Sequence, residues 1–313
     1  MLAPCYSHGA SLEFRGGENK GKKRKLKYNF ETLLLLSPFL VIFLVFGAFP
    51  IIFSFFISFT DYSGLSPDYS FVGFANYIHA FKDSIFLTAL KNTFIFVIGT
   101  IPFTTVFALL LALIINSKFL PLKDVFKAGF FLPSVISMVV ISTMWMYLYS
   151  ADGFFNKMIE LFGRQPLPTS WLAYVKTALL SIMIMDVWAA VGYYTILFLA
   201  GLQSIPEELY EAARIDGADR KALFSKITLP LLKPTLYFVI AINTIRSFQI
   251  FSEVFTMTGG GPMNSTQTIV HYLYIVGFRN FEMGYASAIG YILVFIVLLI
   301  TLIQGRLLRS EAL

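Results

Sequence analysis

The sequence predicts an all-α membrane protein in which six transmembrane helices cross the bilayer. Its 313 residues are 57% apolar and only 13% charged, whereas soluble globular domains are roughly 45–50% apolar and about 25% charged. Several apolar runs reach the length of about 20 residues that a helix needs to cross a membrane. The chain is therefore expected to form one set of spans, although its length alone would allow two soluble domains.

The predicted spans divide the chain into one membrane domain and two tails. Their predicted bounds are residues 33–59, 93–115, 128–149, 176–202, 235–257 and 285–308. Residues 1–32 form a basic tail, residues 33–308 the transmembrane domain, and residues 309–313 a short tail at the other end. Residues 203–234 carry too many charges to enter a bilayer, so they are expected to lie in water.

The distribution of basic residues indicates which side of the membrane each loop faces. The two ends of the chain, the loop after the second span and residues 203–234 hold seventeen Lys and Arg, whereas the alternate loops hold six. Because basic residues concentrate in cytoplasmic loops, we expect both termini and residues 203–234 in the cytoplasm. The net charge of +6 therefore reflects orientation in a membrane and does not indicate nucleic-acid binding.

Residues 203–234 are predicted to contain two short helices. Ser204 followed by Glu207 fits a capping box, with Pro206 in the first turn and Ile215 at the end of the first helix. Gly217 is expected in the left-handed turn that ends this helix, because only glycine adopts that conformation without a Cβ penalty.

The second helix is predicted to begin after Asp219, whose side chain can cap it. It is expected to run to about Lys226. Pro230 and Pro234 are expected to close the segment before the fifth span begins.

One face of the first predicted helix carries small and apolar residues. Leu209, Ala212 and Ala213 fall three to four residues apart, so they share one side of the helix. The two methyl side chains would let the backbone of another protein approach closely. Two interpretations stay open: a docking surface for a partner, or a loop helix packed against its own bundle.

The spacing of residues in this segment resembles the EAA loop of permease subunits from binding-protein-dependent ABC importers. The matching positions are Glu211, Ala212, Ala213, Gly217, Ile227, Leu229 and Pro230. In that family the loop is the coupling helix, which sits in a groove on a cytoplasmic ATPase subunit. The resemblance implies the MetI-like bundle of type I importers and assigns ATPase coupling to these residues. We call residues 203–234 the EAA segment. A weaker resemblance to sugar permeases covers Val72–Tyr77, Asn92 and Thr93.

The resemblance also implies a transport subunit that is not itself an enzyme. The chain would form half of a pore with a second, homologous permease subunit, as a heterodimer. Two cytoplasmic ATP-binding subunits would hold ATP and Mg²⁺, so no cofactor is expected in this chain. An extracytoplasmic solute-binding protein would deliver a mono- or oligosaccharide or a sugar derivative. The implied location is a bacterial or archaeal cell (inner) membrane, where the spans contact membrane lipid.

Three ionisable residues fall inside predicted spans, where a charge is costly unless it faces a cavity or a partner. Asp186 and Arg246 are expected at a similar depth, about 15 Å from the outer ends of their spans, and Glu253 nearer the outer mouth. Two interpretations stay open for Arg246: an ion pair with Asp186, or a donor to the substrate. Its guanidinium group suits both.

The polar residues of the fifth span are predicted to share one stripe of one helix, because they recur at intervals of three and four. This stripe comprises Asn243, Arg246, Ser247, Ile250 and Glu253. In maltose-type permeases, which this chain resembles, sugar is held in mid-membrane by residues before and after the EAA loop. The corresponding positions are Trp188, Ala189, Ala190, Tyr193, Asn243, Arg246, Ser247 and Ile250. Arg246 and Ile250 differ from the maltose-type residues, which argues against maltose and leaves an acidic or differently hydroxylated sugar open.

The alternative function is an ion-coupled secondary transporter or channel that uses Asp186 and Glu253 as proton or cation sites. It would work without ATP, and it leaves the EAA pattern unexplained.

No set of nucleophile, base and orienting group supports a membrane enzyme. The three histidines, at positions 8, 79 and 271, are far apart in sequence, so no metal site is expected. A glycine-rich stretch at residues 16–23 lacks the Ser or Thr of a phosphate loop.

Overall fold

The computed structural model describes residues 30–117 and 121–309, which are helical apart from turns, loops and one isolated bridge between Thr60 and Phe71. Most of the predicted basic tail, the last four residues and residues 118–120 lie outside the described residues. Five helices are long and apolar enough to cross a membrane, or six if one bent pair counts as a span. The prediction of an all-α membrane protein is confirmed.

The described part of the first compact unit, which ends at Pro50, is helical with a widened turn. α1 (Phe30–Phe43) is followed by a π-helical turn at Leu44–Ala48. Pro50 lacks a helical N–H donor and its ring crowds the carbonyl four residues earlier, so a widened turn at this point has a physical cause. The candidate span Leu34–Ile57, which contains α2 (Phe49–Ile57), agrees with the first predicted span.

The second unit comprises residues 51–313. After α3 (Ala75–Ala80), α4 (Ser84–Asn116) forms the second span. α4 begins well before the predicted start at residue 93, and the side chain of Asp83 caps it by accepting a hydrogen bond from the backbone N–H of Ile85 at 2.8 Å. The predicted start was wrong because apolar content marks the membrane-embedded part of a helix and misses its polar first turns.

The predicted third span is not one straight helix. α5 (Lys123–Val135) and α6 (Met138–Leu148) meet at an angle of 97°. The backbone is extended at Ile136, and Pro133 removes a helical N–H donor in the last turn of α5. The predicted third span over residues 128–149 is therefore a bent pair of helices, which supplies the sixth span only if the pair counts as one.

α8 (Val175–Gln203) confirms the fourth predicted span and is the most deeply buried span of the second unit. It follows α7 (Phe154–Leu161) and packs against α4 and α5. A Cβ atom on Gly192 would lie 1.8 Å from the carbonyl oxygen of Phe130. Glycine at this position therefore permits the close approach of α5 to α8.

The predicted fifth span is broken near its C-terminal end. α10 (Arg220–Leu223) continues through a π-helical turn at Phe224–Thr228 into α11 (Leu229–Phe248). After a break, α12 (Ser252–Met257) forms a separate short helix. The prediction of one helix over residues 235–257 was therefore wrong at both ends.

The chain then forms α13 (Ile269–Tyr274), a π-helical turn at Ile275–Arg279, and α14 (Met283–Arg309), which confirms the sixth predicted span. Buried apolar residues form three clusters, and α4 contributes to all of them. The first cluster also involves α13 and α14, the second involves α6, α8 and α12, and the third involves α8 and α11. The break between α11 and α12 lies at the second cluster.

Asp83 joins the start of α4 to α13 and α14. Its Oδ2 atom accepts hydrogen bonds from the hydroxyl groups of Tyr272 and Tyr285, the latter at 2.8 Å. Partial burial raises the pKa of Asp83, but these hydrogen bonds outweigh burial, so the pKa lies below its usual value. The ionised carboxylate, just before the start of α4, therefore ties α4 to α13 and to the first turn of α14.

Candidate functional site

The EAA segment begins with an exposed helix. α9 (Glu207–Ile215) has no buried residue, and it ends at the predicted position. Leu209 is 44% exposed and Ala212 is also exposed, so the apolar side of this helix is largely uncovered by the described part of its own chain. An uncovered apolar helix face favours a docking surface over packing on the same chain.

The start of α9 differs from the predicted capping box. Ser204 lies at the C-cap of α8, where its hydroxyl group donates a hydrogen bond to the carbonyl oxygen of Gly201 at 2.8 Å. Pro206 occupies the N-cap position of α9, with extended backbone and no side-chain cap. The capping-box prediction was wrong because the preceding span reaches as far as Gln203 and uses Ser204 at its own end.

The turn between the two helices of the EAA segment forms as predicted. Gly217 has a φ angle of +82°, in the left-handed region. Asp219 then caps α10, because its Oδ1 atom accepts a hydrogen bond from the N–H of Ala222 at 2.7 Å. Both predictions are confirmed. The closing of the segment at Pro230 and Pro234 is wrong, because α11 begins before these residues and contains them.

A pair of hydroxyl groups joins the two halves of the EAA segment. The hydroxyl of Tyr210, on α9, lies 3.0 Å from Oγ1 of Thr228. Thr228 is buried and is the last residue of the π-helical turn that leads into α11. Sequence reasoning missed this bond, although both residues lie within the EAA segment. It links α9 directly to the start of the fifth span.

The predicted coupling positions are accessible to different degrees, and none of them is buried. Glu211, Ala212, Gly217 and Pro230 are exposed, and Ala213, Ile227 and Leu229 are intermediate. Their role in coupling to an ATPase stays a prediction.

Asp186 and Arg246 form an ion pair between α8 and α11. Nη2 of Arg246 lies 2.8 Å from Oδ1 of Asp186 and 3.8 Å from Oε1 of Glu253. The side chains of the two acids are 3% and 9% exposed, and that of Arg246 is 35% exposed. The pairing was one of the two interpretations of Arg246, and the geometry adds Glu253 as a second carboxylate beside the same guanidinium nitrogen.

A cavity of about 400 Å³ lies beside this ion pair, and we call it the charged cavity. Its polar wall is formed by Asp186, Arg246, Ser247, Gln249, Ser252 and Glu253, with apolar side chains from α4 and α11 completing it. The volume is near the lower end of the range of roughly 300–1,000 Å³ for small-molecule sites. Such a cavity has room for a small polar ligand.

The predicted polar stripe does not continue along one helix. α11 ends at Phe248, Ile250 lies in the break, and Glu253 is carried by α12. Arg246, Ile250 and Glu253 nevertheless line the same cavity, because the break turns α12 back towards α8. Asn243 is buried, and its Oδ1 atom accepts a hydrogen bond from the Ser247 hydroxyl at 3.3 Å.

The predicted pathway residues of the fourth span do not line the charged cavity. Trp188, 48% exposed, lines an apolar groove of about 950 Å³ between α4, α5 and α8. Ala189 and Ala190 are buried in two different apolar clusters. Tyr193 is 42% exposed. Ala190 and Tyr193, four and seven residues after Asp186, nevertheless share its side of α8, whereas Trp188 faces the apolar groove.

Sequence reasoning missed the contribution of Gln249 and Ser252 to the cavity wall. Both are polar residues inside a predicted span, which is a usable signal, and Gln249 lies three residues after Arg246 and four before Glu253, but the predicted stripe left both residues out. Among residues 30–117 and 121–309, no group of three or more His, Cys, Asp or Glu residues is placed to hold a metal ion.

Comparison with known proteins shows similarity to transport subunits along most of the chain. Residues 77–310 match the family described as binding-protein-dependent transport system inner membrane component. The arabinooligosaccharides transport system permease protein AraP of Bacillus subtilis is 36% identical over 280 residues, covering 88% of each chain. The lactose transport system permease protein LacF of Rhizobium radiobacter is 34% identical over 290 residues, covering 92% of this chain and 97% of LacF.

A solved structure has the same fold. It is a chain in the crystal structure of a bacterial ABC transporter involved in the import of the acidic polysaccharide alginate, with a TM-score of 0.77. The two chains are 24% identical, and the alignment covers 88% of this chain and 94% of the other. At this level of identity the similarity establishes the helical arrangement.

Proposed function

Because the chain belongs to the family of binding-protein-dependent transport system inner membrane components, we propose that it forms half of the membrane pore of an ATP-driven sugar importer. Members of this family are permease subunits, which are not enzymes themselves. Relatives that cover most of the chain are named as permeases for arabinooligosaccharides and lactose, which supports a saccharide as substrate.

The observation that carries the coupling role is the exposed EAA segment between α8 and α11. Its helix α9 presents an uncovered side, and its turn at Gly217 and cap at Asp219 fix the direction of the chain into α10. ATP binding and hydrolysis on a separate subunit would move α9, and the Tyr210–Thr228 bond and the continuous helix into α11 would carry this movement towards Arg246.

Movement of α8 and α11 would change access to the charged cavity. Rigid helices that have two packed arrangements are a common basis for such switching. Asp186 in the middle of α8 and Arg246 in the last turn of α11 join these helices, so the cavity wall shifts with them. The chain would thus alternate between outward- and inward-facing arrangements in a cell membrane.

The proposed assembly contains a second homologous permease, two cytoplasmic ATP-binding subunits and an extracytoplasmic solute-binding protein. The alginate transporter has been solved in complex with an alginate pentasaccharide-bound periplasmic protein, which supports the last partner. ATP and Mg²⁺ would bind to the ATP-binding subunits.

A second candidate function, an ion-coupled transporter, is favoured by one observation: Asp186 and Glu253 both line the charged cavity. This function would proceed in the chain alone and without nucleotide. The two functions are separated by reconstituting the chain with and without its partner subunits in liposomes and measuring uptake of labelled sugar with ATP.

The decisive variant is Glu211→Lys with Gly217→Asp, measured in the assembled transporter. We expect it to reach the membrane and to lose nearly all ATP-driven uptake. The matched control is Glu160→Lys, an equal charge reversal at an exposed position of α7, which should retain uptake. Normal uptake by the first variant would contradict docking through the EAA segment.

A further inference from the structure

The charged cavity has more acidic than basic groups in its wall. Asp186 and Glu253 both lie beside Arg246, which is its single basic side chain among the described residues. One nitrogen of the guanidinium contacts Asp186 at 2.8 Å and lies 3.8 Å from Glu253. With Glu253 ionised the wall is negative, and with Glu253 protonated it is neutral. In neither state is it positive.

The guanidinium group still has a donor that the described part of the chain does not satisfy. Nη1 of Arg246 is buried, and no acceptor lies within hydrogen-bonding geometry of it. A buried N–H without an acceptor is costly. The hydroxyl group of Tyr194, which is also buried without a partner, interacts with the Arg246 side chain, so either this hydroxyl or a ligand hydroxyl would satisfy the donor after a small shift. The cavity therefore needs an acceptor for Arg246 and donors for the two carboxylates.

A sugar hydroxyl group meets both needs, because it donates one hydrogen bond and accepts others. It can donate to a carboxylate oxygen and accept from the guanidinium at the same site. A sugar carboxylate can only accept hydrogen bonds. It would face two carboxylates in the cavity wall, and the one basic group there, Arg246, is already paired with Asp186. Like charges brought together in this way are strongly unfavourable.

We propose that the charged cavity is a subsite for an uncharged or amine-bearing saccharide and that it selects against acidic sugars. The inference rests on the proposed import function and narrows its substrate class. Asp186 holds the guanidinium in place, and Glu253 is the specificity-determining residue that faces an incoming ligand. Arg246 contributes hydrogen-bond donors and no free positive charge.

The cavity potential is measured with charged thiol reagents, so the ligand need not be known. Cys5 is the single cysteine of the chain, and Cys5→Ser removes it. Gln249→Cys then places a thiol at an exposed position of the cavity wall. Thr169→Cys, exposed in a loop outside the cavity, is the matched control. The assembled transporter in nanodiscs is labelled with a neutral, a cationic (trimethylammonium) or an anionic (sulfonate) methanethiosulfonate reagent. Mass spectrometry of this chain gives the labelling rate for each reagent.

Relative to Thr169→Cys, we expect the ratio of cationic to anionic labelling rates at Gln249→Cys to be higher by about tenfold or more. Adding Asp186→Asn with Glu253→Gln, which leaves Arg246 as the only charge, should reverse this preference. A ratio at or below the control would overturn the proposal. So would a failure of the neutral reagent to label Gln249→Cys, since a ligand cavity must admit small solutes.

A separate measurement distinguishes this inference from the import function. ATP-dependent uptake by the assembled transporter tests the function, and the labelling ratio tests the charge of the cavity. If uptake is ATP-driven but the anionic reagent labels the cavity faster than the cationic one, the proposed substrate class is overturned and the import function stands. Uptake by the purified chain without nucleotide would overturn the function on which it rests.

Discussion

The EAA segment and the charged cavity are attached to the same two helices, α8 and α11, but they are built differently. In the first helix of the EAA segment and its turn, residues lie near the surface and their positions follow from turns and caps within a few residues of sequence. In the charged cavity, Asp186 and Arg246 are sixty residues apart and meet through tertiary packing. The first region is fixed by local chemistry and the second by the fold.

This difference has an energetic consequence. Bonds within the exposed EAA segment compete with water and are expected to contribute about 1 kcal/mol each. The pair in the cavity involves a carboxylate that is only 3% exposed, so loss of its partner leaves a buried charge. Substitutions in the cavity are therefore expected to affect stability most, and substitutions in the EAA segment to affect coupling with little loss of stability.

The largest expected effect is that of Arg246→Met, which leaves the Asp186 carboxylate without its partner. We expect the free energy of unfolding to fall by about 2–4 kcal/mol, less than for a fully buried pair because Arg246 is 35% exposed. Thermal unfolding of the purified chain in detergent measures the loss. The matched double variant, Arg246→Met with Asp186→Leu, should recover most of it. If the double variant is as unstable as the sum of both single variants, the pair does not account for the effect.

The next effect is that of Gly217→Ala in the turn of the EAA segment. At a φ of +82° an alanine is expected to cost about 1–2 kcal/mol, although a Cβ atom there meets no neighbour within 4 Å. We expect slower ATP-driven uptake with unchanged membrane insertion, since the strain is local to the turn. The control is Gly217→Asn, because asparagine tolerates the left-handed region better than alanine does. Its rate of uptake should lie between that of the unmodified chain and that of Gly217→Ala. Equal uptake by all three proteins would show that this turn geometry is not needed.

The sequence predicted the EAA segment well and the cavity only in part. Gly217 and Asp219 occupy the predicted turn and cap because each conformation depends on one residue and its immediate neighbours. Ser204 was assigned to the wrong helix, since only the fold determines how far α8 extends. Prediction of a single polar stripe failed because no strong breaker marks the break after Phe248. The similar predicted depth of Asp186 and Arg246 left their ion pair as one of two interpretations, but the approach of Glu253 required α12 to turn back.

The smallest expected effect on stability, and the most informative for coupling, is that of the Tyr210–Thr228 bond. Tyr210→Phe and Thr228→Val each remove one hydroxyl group and keep the shape of the side chain. Each is expected to lower stability by about 0.5–1.5 kcal/mol. Thr228→Val also removes the hydrogen bond from the Thr228 hydroxyl to the carbonyl oxygen of Leu223 at 3.3 Å, so the double variant is expected to match Thr228→Val alone. Thr228→Ser keeps the hydroxyl group and is the matched control.

The same variants test whether this bond carries movement from α9 to α11. We expect the amount of sugar imported per ATP hydrolysed to fall in Tyr210→Phe and Thr228→Val and to be retained in Thr228→Ser. Binding of the ATP-binding subunits, measured by co-purification, should not change, since the face of α9 with Ala212 and Ala213 is untouched. A merely structural bond would lower stability without changing the transport-to-ATP ratio. A ratio equal to that of the unmodified chain would therefore assign the linkage to the continuous helix of α10 and α11 alone.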